Sequence, residues 1–313
     1  MNLKHFIAVL LPLVVVLCSC QQNEVPAPPS NQYDINLQAS IQSSQTRVAQ
    51  PSDNRYVFES GDSIQVVGWT GDALSYPQPW STPTERWWVN SLNVFNGRKW
   101  VATPYMRWQN GEGLMHHFVS WWPASLATAS STNLTALVHE VSADYNPDIL
   151  VASTSLQRPA DNTLALTFNH LLARFDVHLH FTEHYAQVDD ISLTTDVALN
   201  ATLNLITGTV ATGTTTGTMP LQSMQPAVDA YWSGSQIIIP QSLTNVPISI
   251  SFSENGTLRN LTYVHPKLNF QSGKRTTLTL LVSKDEIKPI EVSVGDWVDS
   301  PSLGDADAEE STP

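Results

Sequence analysis

A period of two limits this chain more than any other feature. In the run Asp34-Ile35-Asn36-Leu37-Gln38-Ala39-Ser40-Ile41-Gln42, apolar and polar residues alternate strictly. Successive side chains of a strand point to opposite faces, so Ile35, Leu37, Ala39 and Ile41 would share one buried side. Alternating or short apolar runs recur at 63–68, 92–95, 118–122, 134–141 and 164–168. A second set follows at 173–181, 191–193, 198–205, 236–239, 246–252, 261–264, 275–282 and 290–298. Turn residues, Asn96-Gly97 among them, separate the runs. No stretch longer than about ten residues holds the 3.6-residue helical period. Many short strands with frequent turns predict an all-β chain of β-sandwiches. Charged residues make up only 14% while Thr, Ser, Asn, Val and Trp abound, which suits pleated, half-buried strands. The length fits two tandem domains, 34–182 and 183–300, at roughly 100–200 residues each. The Gly/Thr-rich run 207–218 reads as a hairpin leading to an exposed edge.

The ends of the chain carry an address. Residues 1–19 read as a secretion signal: Lys4 gives the positive start, and the apolar stretch 6–17 is too short to span a bilayer. Leu17-Cys18-Ser19-Cys20 resembles the bacterial lipobox, with a branched apolar residue three before the modified cysteine and a small one just before it. Cys20 is therefore the expected lipid, and palmitate, attachment point, and Cys18 leaves with the signal. Residues 20–33, with Pro26, Pro28 and Pro29, form an extended lipidated linker, and 301–313 an acidic, solvated tail. Such a chain is expected on the cell surface, held at the outer membrane by its acyl chains. The two cysteines, Cys18 and Cys20, lie in the leader and at the lipidation point, so the exported body has no disulfide and its stability comes from burial.

Acidic residues outnumber basic ones by 28 to 15, and no Lys/Arg cluster interrupts the excess. Without a basic footprint there is nothing to hold a phosphate backbone, which argues against nucleic acid as a partner.

Against this background Leu166-Thr167-Phe168-Asn169-His170-Leu171-Leu172-Ala173-Arg174-Phe175-Asp176-Val177 resembles the signature strand of the fimbrillin family, the subunits of type V pili. Thr46-Arg47 ahead of Gly61-Asp62-Ser63-Ile64, then Phe118-Val119-Ser120-Trp121-Trp122-Pro123, residues 270–281, and Gly295-Asp296-Trp297 agree in order. The resemblance implies two transthyretin-like β-sandwiches, lipoprotein export and no enzymatic activity. It also implies cleavage after an arginine behind the first strand, and polymerisation with other fimbrial subunits by strand exchange. Arg47 and Val48 occupy the processing position, and the strand bearing Ile35, Leu37, Ala39 and Ile41 would be the one exchanged. Ile290-Glu291-Val292-Ser293-Val294 alternates in the same way, making Ile290, Val292 and Val294 the candidate donor strand. The expected partners are a processing protease and other subunits.

One departure is the aromatic first half: eight of the ten tryptophans lie between Trp69 and Trp122. Trp80, Trp87, Trp88, Trp100 and Trp108 are either core filling or flat platforms for host or bacterial glycans. In a strand with one solvated face, at most one of Trp121 and Trp122 points inward. That leaves a competing reading, a lipid-anchored glycan-binding protein that never polymerises. His178 and His180 share one strand face near Glu183 and His184, donor types that suit zinc. Phe175, Val177, Leu179 and Phe181 form the opposite, apolar face, so the histidines read as solvent-side residues and no metal is expected. His116 and His117 point to opposite sides and read as structural. No nucleophile elbow, phosphate loop or paired Cys/His signature is present, and neither catalysis nor a cofactor is expected.

Overall fold

The computed structural model describes residues 32–42, 58–71, 88–126, 137–140, 148–182, 188–226, 231–284 and 286–297. Among them the chain is all-β, with strands in three sheets and a single 3-10 turn, Ala124–Leu126.

The first sheet has seven strands, numbered in chain order. Across the sheet these are β1 (Asn36–Ile41), β8 (Thr163–His170), β7 (Leu150–Gln157), β5 (Met115–Trp122), β2 (Ser63–Thr70), β3 (Trp88–Phe95) and β4 (Trp100–Thr103). β7 and β8 pair over only two positions, Leu150↔His170 and Val151↔Asn169. Beyond that corner β8 leaves its neighbour, carrying β1 with it as its parallel partner. Leu164, Leu166 and Phe168 of β8 then face Ile64, Val66, Val89 and Phe118 of the other strands across one core. The alternation predicted this: along β8 the three apolar residues are buried and the residues between them are exposed or half-buried.

The second sheet has eight strands and rolls over on itself. Its order is β16 (Thr257–Phe270), β15 (Gln241–Glu254), β10 (Val188–Ala198), β13 (Thr216–Pro226), β14 (Tyr231–Ile238), β9 (Ala173–Phe181), β17 (Lys274–Val282) and β18 (Ile287–Asp296). Leu193 and Val197, Ile248, Ile250 and Phe252, Phe175, Val177 and Leu179, and Leu278 and Leu280 fill its interior. The hairpin between β15 and β16 turns at Asn255-Gly256, both at positive φ (48° and 78°), a geometry in which Gly carries no Cβ penalty. The chain passes from one sheet to the other at Leu171-Leu172, between β8 and β9, so the strand ahead of Thr182 is hydrogen bonded to β14 and β17.

The third sheet joins β6 (Leu137–Glu140), β11 (Asn200–Asn204) and β12 (Thr209–Thr212). The Gly/Thr-rich run does form a hairpin arm, β12 on β11, at this sheet's edge. Ala201 and Leu203 of β11 belong to the same buried cluster as Val67, Trp69, Val119 and Trp121 of β2 and β5. β2 and β5 are thus covered on both faces. That corrects the expectation for the tryptophan pair: Trp121 is fully buried on one side, while Trp122 packs into the other core and donates its indole N–H to Asp62 at 3.3 Å.

Candidate functional site

Of the site residues read from the sequence, those of the exchanged and the candidate donor strand lie on or next to two edge strands, β1 and β18. Cys20, Arg47, Val48, Trp80, Trp87, Glu183 and His184 lie outside the described residues.

β1 is the last strand of its sheet. It pairs with β8 from Asn36↔Thr163 to Ile41↔Phe168, and among the described residues no strand pairs with its other edge over this span. Ile35, Leu37, Ala39 and Ile41 pack against the first core but are only half-buried, whereas Asn36, Gln38 and Ser40 are exposed. Full burial of a large aliphatic side chain is worth about 1.5–3 kcal/mol, so half-burial gives each of the three large ones roughly 1 kcal/mol. The strand's start is fastened separately. Ile35 N–H donates to Met106 O (3.1 Å) and Trp108 N–H to Tyr33 O (2.8 Å). The Arg107 guanidinium donates to Asp34 Oδ1 at 2.9 Å, and the Arg158 guanidinium lies 4.6 Å from the centre of the Tyr33 ring. Asn162, at φ 59°, turns its carbonyl to accept both Asn36 N–H and the Trp108 indole N–H. The far end is held by Gln42 N–H to Phe168 O at 2.8 Å.

β18 is the last strand of the eight-stranded sheet and, among the described residues, pairs only with β17. Val292 and Val294 stand opposite Leu278 and Thr276, both fully buried, so they share the core-facing side of the sheet. Yet Ile290, Val292 and Val294 are 57%, 41% and 46% exposed. Every residue between the buried ends, Ile287 and Trp297, is exposed. Pro289, which lacks an N–H, sits beside the register shift, where a missing donor is tolerated.

The two strands end beside one another. A cavity of about 440 Å³ is walled by Gln42 after β1, Asn169 and His170 of β8, Gly208, and Asp296 and Trp297 at the end of β18. Trp297 lies flat on His170, with ring centroids 4.1 Å apart and planes within 11°. Asp148 Oδ1 is 2.9 Å from His170 Nδ1. The turn before β17 completes the corner: Gly273 N–H donates to Leu172 O (2.8 Å), Trp297 N–H to Gly273 O (3.2 Å), and the Ser272 hydroxyl to Leu171 O (2.6 Å). Gly273 is needed there, since its φ is +68° and a Cβ would come within 3.2 Å of His170 O.

The other candidates separate from this region. Trp69 and Trp108 are buried, Trp100 is half-buried against Phe58 and Phe95, and of Trp88 only the backbone is described. Trp69, Trp100 and Trp108 thus fill cores. His178 and His180 flank the Tyr231 ring at 5.3 and 5.1 Å and are half-buried rather than simply solvent-side, and burial pushes the His178 imidazole below its ordinary value. Among the described residues, no group of three His, Cys, Asp or Glu is placed to hold a metal ion. No helix among them is long and apolar enough to cross a membrane. His117 bridges Ser155 Oγ (2.8 Å) and Gly71 O (2.7 Å), and His116 Nε2 accepts Gln109 N–H at 3.2 Å, both inside the fold. Sequence reasoning missed the fastening at Tyr33 and Asp34, because Arg107 and Arg158 lie in other segments and no local pattern links them.

Residues 46–297 match the model of a family described as fimbrillin-like. No curated protein matches the sequence. Among solved structures, the chain is similar to a proposed cell adhesion protein from Bacteroides ovatus ATCC 8483. The two are 13% identical over 87% of this chain and 100% of the other, with a TM-score of 0.60. A proposed cell adhesion protein from Bacteroides uniformis ATCC 8492 is 16% identical over 85% of this chain and 98% of the other, with a TM-score of 0.57. At these identities the likeness is one of fold.

Proposed function

The chain belongs to the fimbrillin-like family, and on that premise we propose that it is a non-enzymatic subunit of a bacterial surface fimbria, assembled by strand exchange. In this reading it is exported as a lipoprotein through Cys20 and held at the outer membrane. A protease then cuts between Arg47 and Val48, β1 departs, and a strand of another subunit takes its place. The division into two tandem sandwiches, expected as 34–182 and 183–300, belongs to the same reading, with the passage drawn back to Leu171-Leu172 because β9 is a strand of the second sheet.

The observation that carries it is the way β1 is held. It is an edge strand with a half-buried aliphatic face, one ladder, and a short fastening at its start. Its departure would uncover the apolar residues beneath it and leave the outer edge of β8 unpaired, which is the template an incoming strand needs. β18 has the matching chemistry for a donor, since Ile290, Val292 and Val294 present an alternating apolar side to solvent. The competing reading, a lipid-anchored glycan binder, has less behind it, because Trp69, Trp108 and Trp121 are spent on packing.

The N-terminus of the protein recovered from cells tests the proposal. A mature form starting at Val48 supports exchange. A chain that always begins at an acylated Cys20, including in assembled fibres, would remove the proteolytic step.

A further inference from the structure

β18 is pinned at its two ends and bare between them, and the pin at its C-terminal end is made against the strand that carries β1. From Lys288 to Asp296 each residue is exposed, so this half of the strand is retained by its ladder with β17, the exposed Lys274–Asp296 ion pair, the Trp297 N–H bond to Gly273 O, and the side chain of Trp297, which is 5% exposed and the one buried contact among them. Trp297 reaches back across the corner to stack on His170. His170 is the last residue of β8. Two residues earlier, Phe168 is the β8 partner of Ile41 and accepts the hydrogen bond from Gln42 N–H. Gln42 and Trp297 wall the same cavity. The end of the strand that would leave and the end of the strand that would be donated therefore rest on one three-residue stretch of β8.

We infer that this corner couples the two edge strands: with β1 seated, His170 is held where Trp297 can stack on it and β18 stays docked, and with β1 gone the stack loosens and β18 is freed. The physical reason is local. Removing β1 takes away the wall at Gln42 and the ladder partner of Phe168, leaving the already partly open cavity beside His170 more accessible to water. The ring stack then loses the enclosure that makes it favourable, while the rest of β18 has no buried contact to compensate until Ile287. A subunit built this way would keep its donor strand folded until its own acceptor site has been opened, which limits premature assembly. The purpose assigned here rests on the strand-exchange reading, but the coupling itself does not.

Coupling is reciprocal, because two elements that stabilise one another do so equally in both directions. It can therefore be tested in the uncut, full-length chain without any strand leaving. Hydrogen exchange is measured on wild type and on Trp297→Leu, which keeps an apolar side chain but loses the stack. The expected result is exchange roughly tenfold faster in the amides of β18, and also in those of β1 more than 250 residues away, with the β15–β16 hairpin unchanged. Faster exchange in β18 alone overturns the coupling, and no change in either strand overturns the pin as well. Should Trp297→Leu also loosen the β15–β16 hairpin, His170→Gln, which leaves the Trp297 backbone bond to Gly273 intact, carries the same comparison with the same two outcomes. Failure of the strand-exchange reading would show up elsewhere, as an Arg47 cut that yields no oligomers, whatever the exchange experiment gives.

Discussion

Asp34 and Arg107, 73 positions apart, meet at 2.9 Å where the start of β1 crosses the segment leading into β5. Beside them the Arg158 cation covers the Tyr33 ring, so the first strand is fastened both by a polar end and by an aliphatic face. The two contributions differ in size. The ion pair is 45% and 38% exposed, and such a pair is worth little in water. Arg107→Ala is expected to lower stability by less than about 0.5 kcal/mol. Leu37→Ser, which removes half-buried aliphatic surface, should cost roughly 1 kcal/mol or more. Urea midpoints at constant m-value give the ranking. The reverse order would mean that β1 is held by its end rather than by its face.

Gly68 lies directly across from Phe118, and the Phe118 ring occupies the space a side chain would need. A Cβ at residue 68 would sit 2.8 Å from ring atoms Cδ1 and Cε1. The ring cannot yield, being 1% exposed and packed edge-on against Trp108 at 5.4 Å. Gly68→Ala is therefore expected to destabilise by about 1–3 kcal/mol, the usual cost of overpacking. Gly68→Ala combined with Phe118→Leu should cost less than the sum of the two single changes, because both act on one space. Strict additivity in that cycle would show the clash is relieved elsewhere.

Burial pushes the imidazoles of His116, His178 and His265 below their ordinary value of 6.5. His116 has a second reason to stay neutral, since its Nε2 accepts a backbone N–H from Gln109. The unfolded chain thus takes up protons at a higher pH than the folded one. Stability from these groups is fully present above about pH 6.5 and is lost as pH falls from there through the lowered folded values. Unfolding free energy measured in urea should therefore decline between pH 7.5 and 5.5. His116→Gln should flatten that decline, even if it lowers stability at every pH. A wild-type curve that rises over this interval would contradict the sign.

How far the sequence discloses all this follows from what a period of two encodes. It says which side of a strand is buried, and it does so accurately for β1, β8 and β17, whose inward residues match the alternation. It does not say which strand lies alongside. β9 and β17 are separated by about a hundred residues yet pair in parallel, Arg174↔Arg275 to Phe181↔Val282, and nothing local in either segment specifies that register. Nor does it say whether the polar side meets water. Ser120 in β5 looks like a solvent-facing residue, but it is fully buried and donates to Gln65 O at 2.8 Å, because β5 is sandwiched on both sides. The corner at His170 was legible only as a stretch resembling a family signature. Its partner Trp297 lies 127 residues on, and the stack between them is a property of the fold.

The last prediction concerns assembly. Arg47 falls five residues after Gln42, where the β1 ladder ends, and Phe58 is the next described residue. A trypsin-like protease acting there cuts the chain after the last residue of the β1 ladder. After the cut, β1 is retained only by non-covalent contacts: three half-buried aliphatic side chains at roughly 1 kcal/mol each, its ladder, and the exposed fastening at Asp34. Loss of covalent continuity makes its departure a dissociation, and dilution then favours the open form. The open form has unpaired backbone on β8 and uncovered apolar surface, so it either takes up another strand or aggregates. Limited trypsin treatment of the purified protein is expected to give a product beginning at Val48 and to convert monomer into a ladder of oligomers. Arg47→Ala should stay monomeric under the same treatment. Added peptide spanning residues 33–43 should suppress the ladder by refilling the groove, whereas the same peptide with Leu37 and Ile41 changed to Ser should not. A cut at Arg47 that leaves a stable monomer, or oligomers formed equally well by Arg47→Ala, would exclude strand exchange as the way this protein assembles.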